Sequence, residues 1–234
     1  AWTSIYKKVA DRKNEIEEFM RQFDKDTRII FTGAGSSGFI GDSLAPIIRG
    51  EGKFRYVESI HTTDIVADPK KYLVKDSKTL LVSFARSGNS PESLAAVEIA
   101  EKYIDNLHQI IITCNPQGKL ALHNGDNILS LVFEEIDDKG FAMTSSVSGM
   151  MLAAYCVMNI DKDLKGDIDN ISKFANDIIV NRYNDISKIA VGGMKKLVVL
   201  GAGNLFGAAR EAALKTIELS AGKITAWYDT PMGF

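Results

Sequence analysis

Five short runs rich in isoleucine, valine, leucine and aromatic residues, each parted from the next by a helical pattern, constrain this chain more than any other feature. They are RIIFTG (28–33), KFRYVES (53–59), TLLVSFA (79–85), QIIITC (109–114) and NILSLVF (127–133). Several are apolar on both faces, the pattern of parallel strands covered by helices on each side. The alternation predicts an α/β fold built on a doubly wound five-stranded sheet. Ligands of such sheets bind beyond the carboxyl ends of the strands, where helix N-termini offer free N–H groups to anions.

The flanking segments are helical in pattern. Residues 3–23 place Ile5, Tyr6, Val9, Ile16, Phe19, Met20 and Phe23 on one face, which predicts one amphipathic helix packed outside the domain. Ser90 as a cap, Pro91 at the first helical position and Glu92 at the positive helix end start a helix over 91–104. A further helix is expected over 143–158. The stretch DKDLKGDID (161–169) reads as a polar linker, followed by a long amphipathic helix with Ile171, Phe174, Ile178, Ile179, Ile186 and Ile189. KKLVVLGAGNLFGAAREAALKTIELSAG (195–222) then repeats the strand, glycine turn and helix of the opening unit, as an internal duplication would, and GKITAWYD (222–229) is expected to be its next strand. The chain reaches Phe234 well short of five further strands, so it reads as a fragment. Its expected parts are an N-terminal helix (1–26), a first unit (27–160), and a linker helix with the beginning of a second similar unit (161–234).

A chain of 234 residues buries roughly 70 per cent of its unfolded surface without staples. The net charge of −2 leaves no basic surplus for nucleic acid or an anionic membrane, so any phosphate site must be local. Cys114 and Cys156 lack CxxC or Cys/His spacing and read as buried thiols, and His61, His108 and His123 are scattered. No metal or cofactor is expected. No apolar run approaches the ~20 residues of a membrane span and the start lacks a signal-peptide core, so a cytoplasmic location is expected.

Gly33, Gly35 and Gly38 satisfy G-x-G-x-x-G, and Glu58 stands where a dinucleotide fold places its ribose-binding acid. A dinucleotide-dependent enzyme is thus one reading, but it accounts for one turn only. Three turns are rich in hydroxyls: Ser36 and Ser37 in GAGSSG, Ser87 and Ser90 in ARSGNSPE, and Thr144, Ser145 and Ser146 in FAMTSSVSG. Singly, such residues are ordinary caps. Together on one sheet edge they would form a neutral phosphate cradle. On the helix after the second glycine turn, Glu211, Lys215 and Glu218 stand at i, i+4 and i+7, the spacing of a solvated face with an ion pair.

TGAGSSG, ARSGNSPES, ITCNPQGKLA, FAMTSS and GAAREAALKTIELSAG, in this order, resemble the sugar isomerase (SIS) domain family from Arg28 onward, and within it the tagatose 6-phosphate ketose/aldose isomerase and galactosamine 6-phosphate deaminase branch. The resemblance implies a flavodoxin-like three-layer α/β/α sandwich and a sugar-phosphate isomerase, deaminating when the sugar carries an amine. It implies phosphate binding by Ser36, Ser37, Ser87 and Ser90. Gly35, Arg86, Gly88, Asn89, Thr144 and Ser145 are implied to line the substrate. A hydroxyl frequent in the family is replaced by Ala85, with Arg86 or a backbone N–H as the substitute. Glu218 is implied to be the base that moves a proton through an enediol or enolamine. Ile217 stands where some relatives have a lysine. The family's ring-opening histidine is implied to follow directly after YDTPMGF, and the pocket to be completed across a dimer interface. A non-catalytic phosphosugar sensor is the alternative from another class, although no DNA-binding helix pair is recognisable.

Overall fold

The computed structural model describes residues 1–234. Helices α1 (Trp2–Asp11) and α2 (Lys13–Arg21) precede β1 (Arg28–Thr32) and α3 (Ser36–Gly50). Next come β2 (Tyr56–Ser59), the short α4 (Thr62–Ala67) and α5 (Pro69–Tyr72), β3 (Thr79–Ala85) and α6 (Pro91–Tyr103). The first sheet closes with β4 (Leu107–Thr113) and β5 (Ile128–Val132), before α7 (Ser145–Met158). Helices α8 (Lys165–Asn181) and α9 (Tyr183–Ala190) lead to β6 (Lys196–Leu200), α10 (Leu205–Leu219) and β7 (Thr225–Asp229). No helix is long and apolar enough to cross a membrane.

The five expected strands form one parallel sheet in the order β2-β1-β3-β4-β5, the flavodoxin-like order whose topological switch point lies between β1 and β3. Strand alternation distributes the core. Leu80, Val82 and Phe84 of β3 join Ile29 and Phe31 of β1 in the large cluster under α1, α2, α3 and α7. Leu81 and Ile30 face the opposite side, against Ala96 and Ala100 of α6 and Ile65 of α4. All seven residues of β3 are buried, as a central strand covered on both faces requires. Phe31 and Phe84 stack with centroids 6.0 Å apart. Burying each ring contributes about 1.5–3 kcal/mol, and the pair fixes the strand ends from which the two serine turns start.

The expected single helix over 3–23, within the 1–26 segment, is two helices broken at Arg12, whose φ is −103° and ψ 17°. The break lets Arg12 reach sideways: its Nη1 donates to the Ser130 carbonyl oxygen of β5 at 2.7 Å, while Nε and Nη2 hold Glu15. The apolar face survives on both sides, with Ile5, Val9, Ile16 and Met20 buried. At the opposite sheet edge Arg49 donates to the Val57 carbonyl of β2.

The expected polar linker over 161–169 is already helical from Lys165. Asp163 Oδ1 accepts the Lys165 N–H at 3.0 Å and the Tyr6 hydroxyl at 3.2 Å, and Ile168 is buried. The long helix beyond it is interrupted at Arg182, and Phe174, Ile178, Ile179, Ile186 and Ile189 are exposed. The strand, turn, helix and strand expected over 195–229 are present. β6 and β7 pair in parallel as a separate two-stranded sheet, and α10 crosses α3 at Gly207, where a Cβ would lie 2.5 Å from the Phe39 carbonyl oxygen.

Both cysteines are free and buried. Burial pushes the Cys114 and Cys156 thiols up to about 12, which leaves them unreactive.

Candidate active site

The β1–α3 turn is shaped by two glycines. A Cβ at Gly33 would stand 2.6 Å from the Ser37 backbone, and Gly35 has φ +54°, a conformation natural to glycine. The turn presses Ser36 and Ser37 into the first turn of α3, where both are buried. No side chain caps this helix, so its amide end can meet an anion.

The β3–α6 turn lies beside it, because β1 and β3 are paired with Thr32 opposite Ser83. Gly88 takes φ +64°. The turn is braced by the loop after β4: Asn115 Nδ2 donates to the Ser87 carbonyl, the Lys119 N–H donates to Asn89 Oδ1, and the Leu120 N–H donates to the Gly88 carbonyl, each at 3.0 Å. Ser87 Oγ accepts the Asn89 N–H at 3.3 Å. Ser90 Oγ donates to Ser93 Oγ at 2.7 Å along α6, so its proton must swing round to serve a ligand. Arg86 reaches outward, Nη1 donating to the Gly140 carbonyl at 3.3 Å.

The third hydroxyl turn does something else. Asp138 accepts the backbone N–H groups of Thr144, Ser145 and Ser146 and the hydroxyls of Thr144 and Ser146, at 2.6–3.0 Å. Burial opposes its ionisation, but the hydrogen bonds from Ser146 and Thr144 outweigh it and hold the carboxyl far below the usual aspartate range. Thr144 and Ser145 open onto a surface cavity shared with Trp2 and Ile179, which no residue of the two serine turns lines. In this structure the turn is engaged in starting α7 through Asp138.

The spacing of Glu211, Lys215 and Glu218 is that of a solvated face, yet their side chains are only 15, 15 and 23 % exposed. Lys215 Nζ pairs with Glu218 and lies 3.4 Å from Glu211 Oε1. Burial pushes the Glu211 carboxyl above the usual glutamate range, with Ser36 and Lys215 drawing it partly back and the Glu218 charge adding to the rise. Neither carboxylate oxygen of Glu211 has a hydrogen-bond partner, so it stands beside the Lys215–Glu218 pair as a buried, unsatisfied acid.

One position earlier, Arg210 binds Asp42 of α3, which also accepts from Ser59 Oγ at 2.7 Å and has His61 Nε2 at 3.4 Å. Burial works against Asp42, but His61, Ser59 and Arg210 hold its carboxyl below the ordinary range.

Asp42, His61, Arg210 and the burial of Glu211 were not visible as a site in the chain; only the 211/215/218 spacing was. Glu58, the acid of the dinucleotide reading, is ion-paired at 2.5 Å to Arg28 on the neighbouring strand. That removes the feature which set a ribose site apart from any glycine turn.

The chain is thus a parallel α/β sandwich with serine turns on both sides of its switch point and an acid-bearing helix packed on α3. The SIS domain model matches residues 22–159, and the chain belongs to that family. It is 42% identical over 229 residues to the D-galactosamine-6-phosphate deaminase AgaS of Escherichia coli, covering 94% of this chain and 58% of that protein. The AgaS of Shewanella sp. (strain ANA-3) is 42% identical over 212 residues, covering 88% of this chain and 54% of that one. The crystal structure of tagatose-6-phosphate ketose/aldose isomerase from Escherichia coli superposes with a TM-score of 0.90 at 37% identity, over 100% of this chain and 64% of that chain. The chain thus spans little more than half the length of these curated relatives.

Proposed function

We propose that the full-length protein is a sugar-phosphate aldose–ketose isomerase, deaminating toward amino sugars, acting on galactosamine 6-phosphate or tagatose 6-phosphate. The observation that carries this reading is the buried Glu211, Lys215 and Glu218 cluster of α10, a helix packed on α3, together with the two serine turns on neighbouring strands. The names of the relatives support the substrate class.

In this reading Ser36, Ser37, Ser87 and Ser90 hold the phosphate, with Gly35, Gly88 and Asn89 shaping the turns. Glu218, steadied by Lys215, removes the proton from the carbon next to the open-chain carbonyl and returns it to the neighbouring carbon through a cis-enediol. With an amino sugar the proton leaves C2 and is returned to C1, the C2–N bond becomes an iminium, and water replaces it to give the ketose and ammonia. Buried free thiols suit a reducing cytoplasm. Residues 161–234 are read as a linker and the start of a second unit, and the exposed apolar stripe of α8 and α9 as part of a homo-oligomer contact.

The test is to incubate the full-length protein with each sugar phosphate, following ammonia and ketose separately. Ketose with stoichiometric ammonia from galactosamine 6-phosphate supports a deaminase; ligand binding with neither product leaves a sensor instead. Ser87→Ala is expected to raise KM about tenfold or more with kcat little changed, because a hydrogen bond to a charged group is worth about 1.5–3 kcal/mol. An unaltered KM removes Ser87 from the phosphate site.

A further inference from the structure

Asp42 is where α3, the segment after β2 and α10 meet. Its carboxylate accepts from Arg210 Nη1 and Ser59 Oγ, with His61 Nε2 at 3.4 Å from both oxygens. The Asp42 side chain is 14 % exposed and that of Arg210 24 %, so the pair is weakly screened and directional. The guanidinium also lies over Phe39 of α3 and Tyr228 of β7, 4.3 and 5.4 Å from the ring centres.

The neighbouring glycine contact makes this ion pair informative. Gly207 sets how closely α10 approaches α3, and β6 and β7 pack against α10 as well; the ion pair adds an off-axis polar tie between this unit and α3. On an ideal helix Arg210 and Glu218 are separated by roughly 80° around the axis and roughly 12 Å along it. Turning α10 far enough to part Arg210 from Asp42 therefore carries Glu211 and Glu218 with it.

We propose that the Asp42–Arg210 ion pair is a positioning device that fixes the rotation of α10 on the first sheet unit, so that Glu218 faces a substrate held by the serine turns. The proposal rests on the isomerase reading, and neither residue touches substrate in it.

The test compares full-length Asp42→Asn, Arg210→Met and Arg210→Lys with the unaltered protein. A base displaced by about 1 Å costs on the order of 100-fold. Asp42→Asn and Arg210→Met are therefore expected to lose about 100-fold in kcat while KM stays within about threefold. Arg210→Lys keeps the charge without the planar fork and recovers about tenfold of that loss. Unchanged kcat in Asp42→Asn, or kcat, affinity and Tm falling in proportion, overturns the proposal. If the unaltered protein turns over neither sugar, the isomerase reading fails on its own and hydrogen exchange judges the ion pair. Faster exchange of amides 207–218 in Asp42→Asn, with β1 and β3 unchanged, then supports the rotational lock, and equal protection of α10 overturns it.

Discussion

Glu218→Gln in the full-length protein is expected to lower kcat about 1000-fold or more, with phosphosugar affinity changed less than about threefold. Positioned general bases contribute about 100- to 10,000-fold, and in the proposed reaction one carboxylate both takes and returns the proton. Glutamine keeps the side-chain shape and can still accept from Lys215, so the loss reports proton transfer rather than packing. Affinity is expected to be retained because in the proposed reading the phosphate sits on the turns at the ends of β1 and β3, apart from Glu218. Steady-state kinetics together with a binding titration check both halves. Retained turnover in Glu218→Gln with loss in Glu211→Gln would move the base to Glu211, the carboxyl that burial holds above its usual range.

Asp138→Ala is expected to cost about 2 kcal/mol of stability, the scale of one or two hydrogen bonds to a charged group after allowance for its partial exposure. For a chain of 234 residues that lowers Tm by roughly 4–8 °C. The carboxylate accepts from three successive amides and two hydroxyls at the start of α7; its loss leaves the Ser146 groups buried without a partner. The pH dependence has a definite sign. The folded pKa is depressed, so the contribution is fully present above the unfolded aspartate value near 3.9 and fades as pH falls from there toward the folded value. The alanine variant should therefore be less stable at pH 7 but converge on the parent in strong acid. Equal melting temperatures at neutral pH would show the cap to be dispensable.

The sheet was legible because its strands are apolar on both faces, a pattern that helices on the outside do not mimic. The turns were legible as turns, since Gly33, Gly35 and Gly88 meet steric demands written locally. What each hydroxyl does there was not. A serine at a helix start serves a cap or a ligand with the same chemistry, and the chain path that returns Asp138 to Thr144 is not readable from local spacing. The interruption at Arg12 was hidden for a related reason: its neighbours continue a helical pattern, and the break is imposed by a carbonyl on β5. The acid spacing on α10 was plain, but its burial comes from α3. The Asp42–Arg210 pair joins positions 168 apart, which no local pattern encodes.

The two arginines that reach backbone carbonyls on β5 and β2 stand at the two outermost strands. Such strands are templates for recruiting another chain, and a charged side chain placed over their free acceptors blunts the recruitment. Through Arg12, the break between the first two helices places a charged group over the outer edge of β5, an arrangement that disfavours strand addition there.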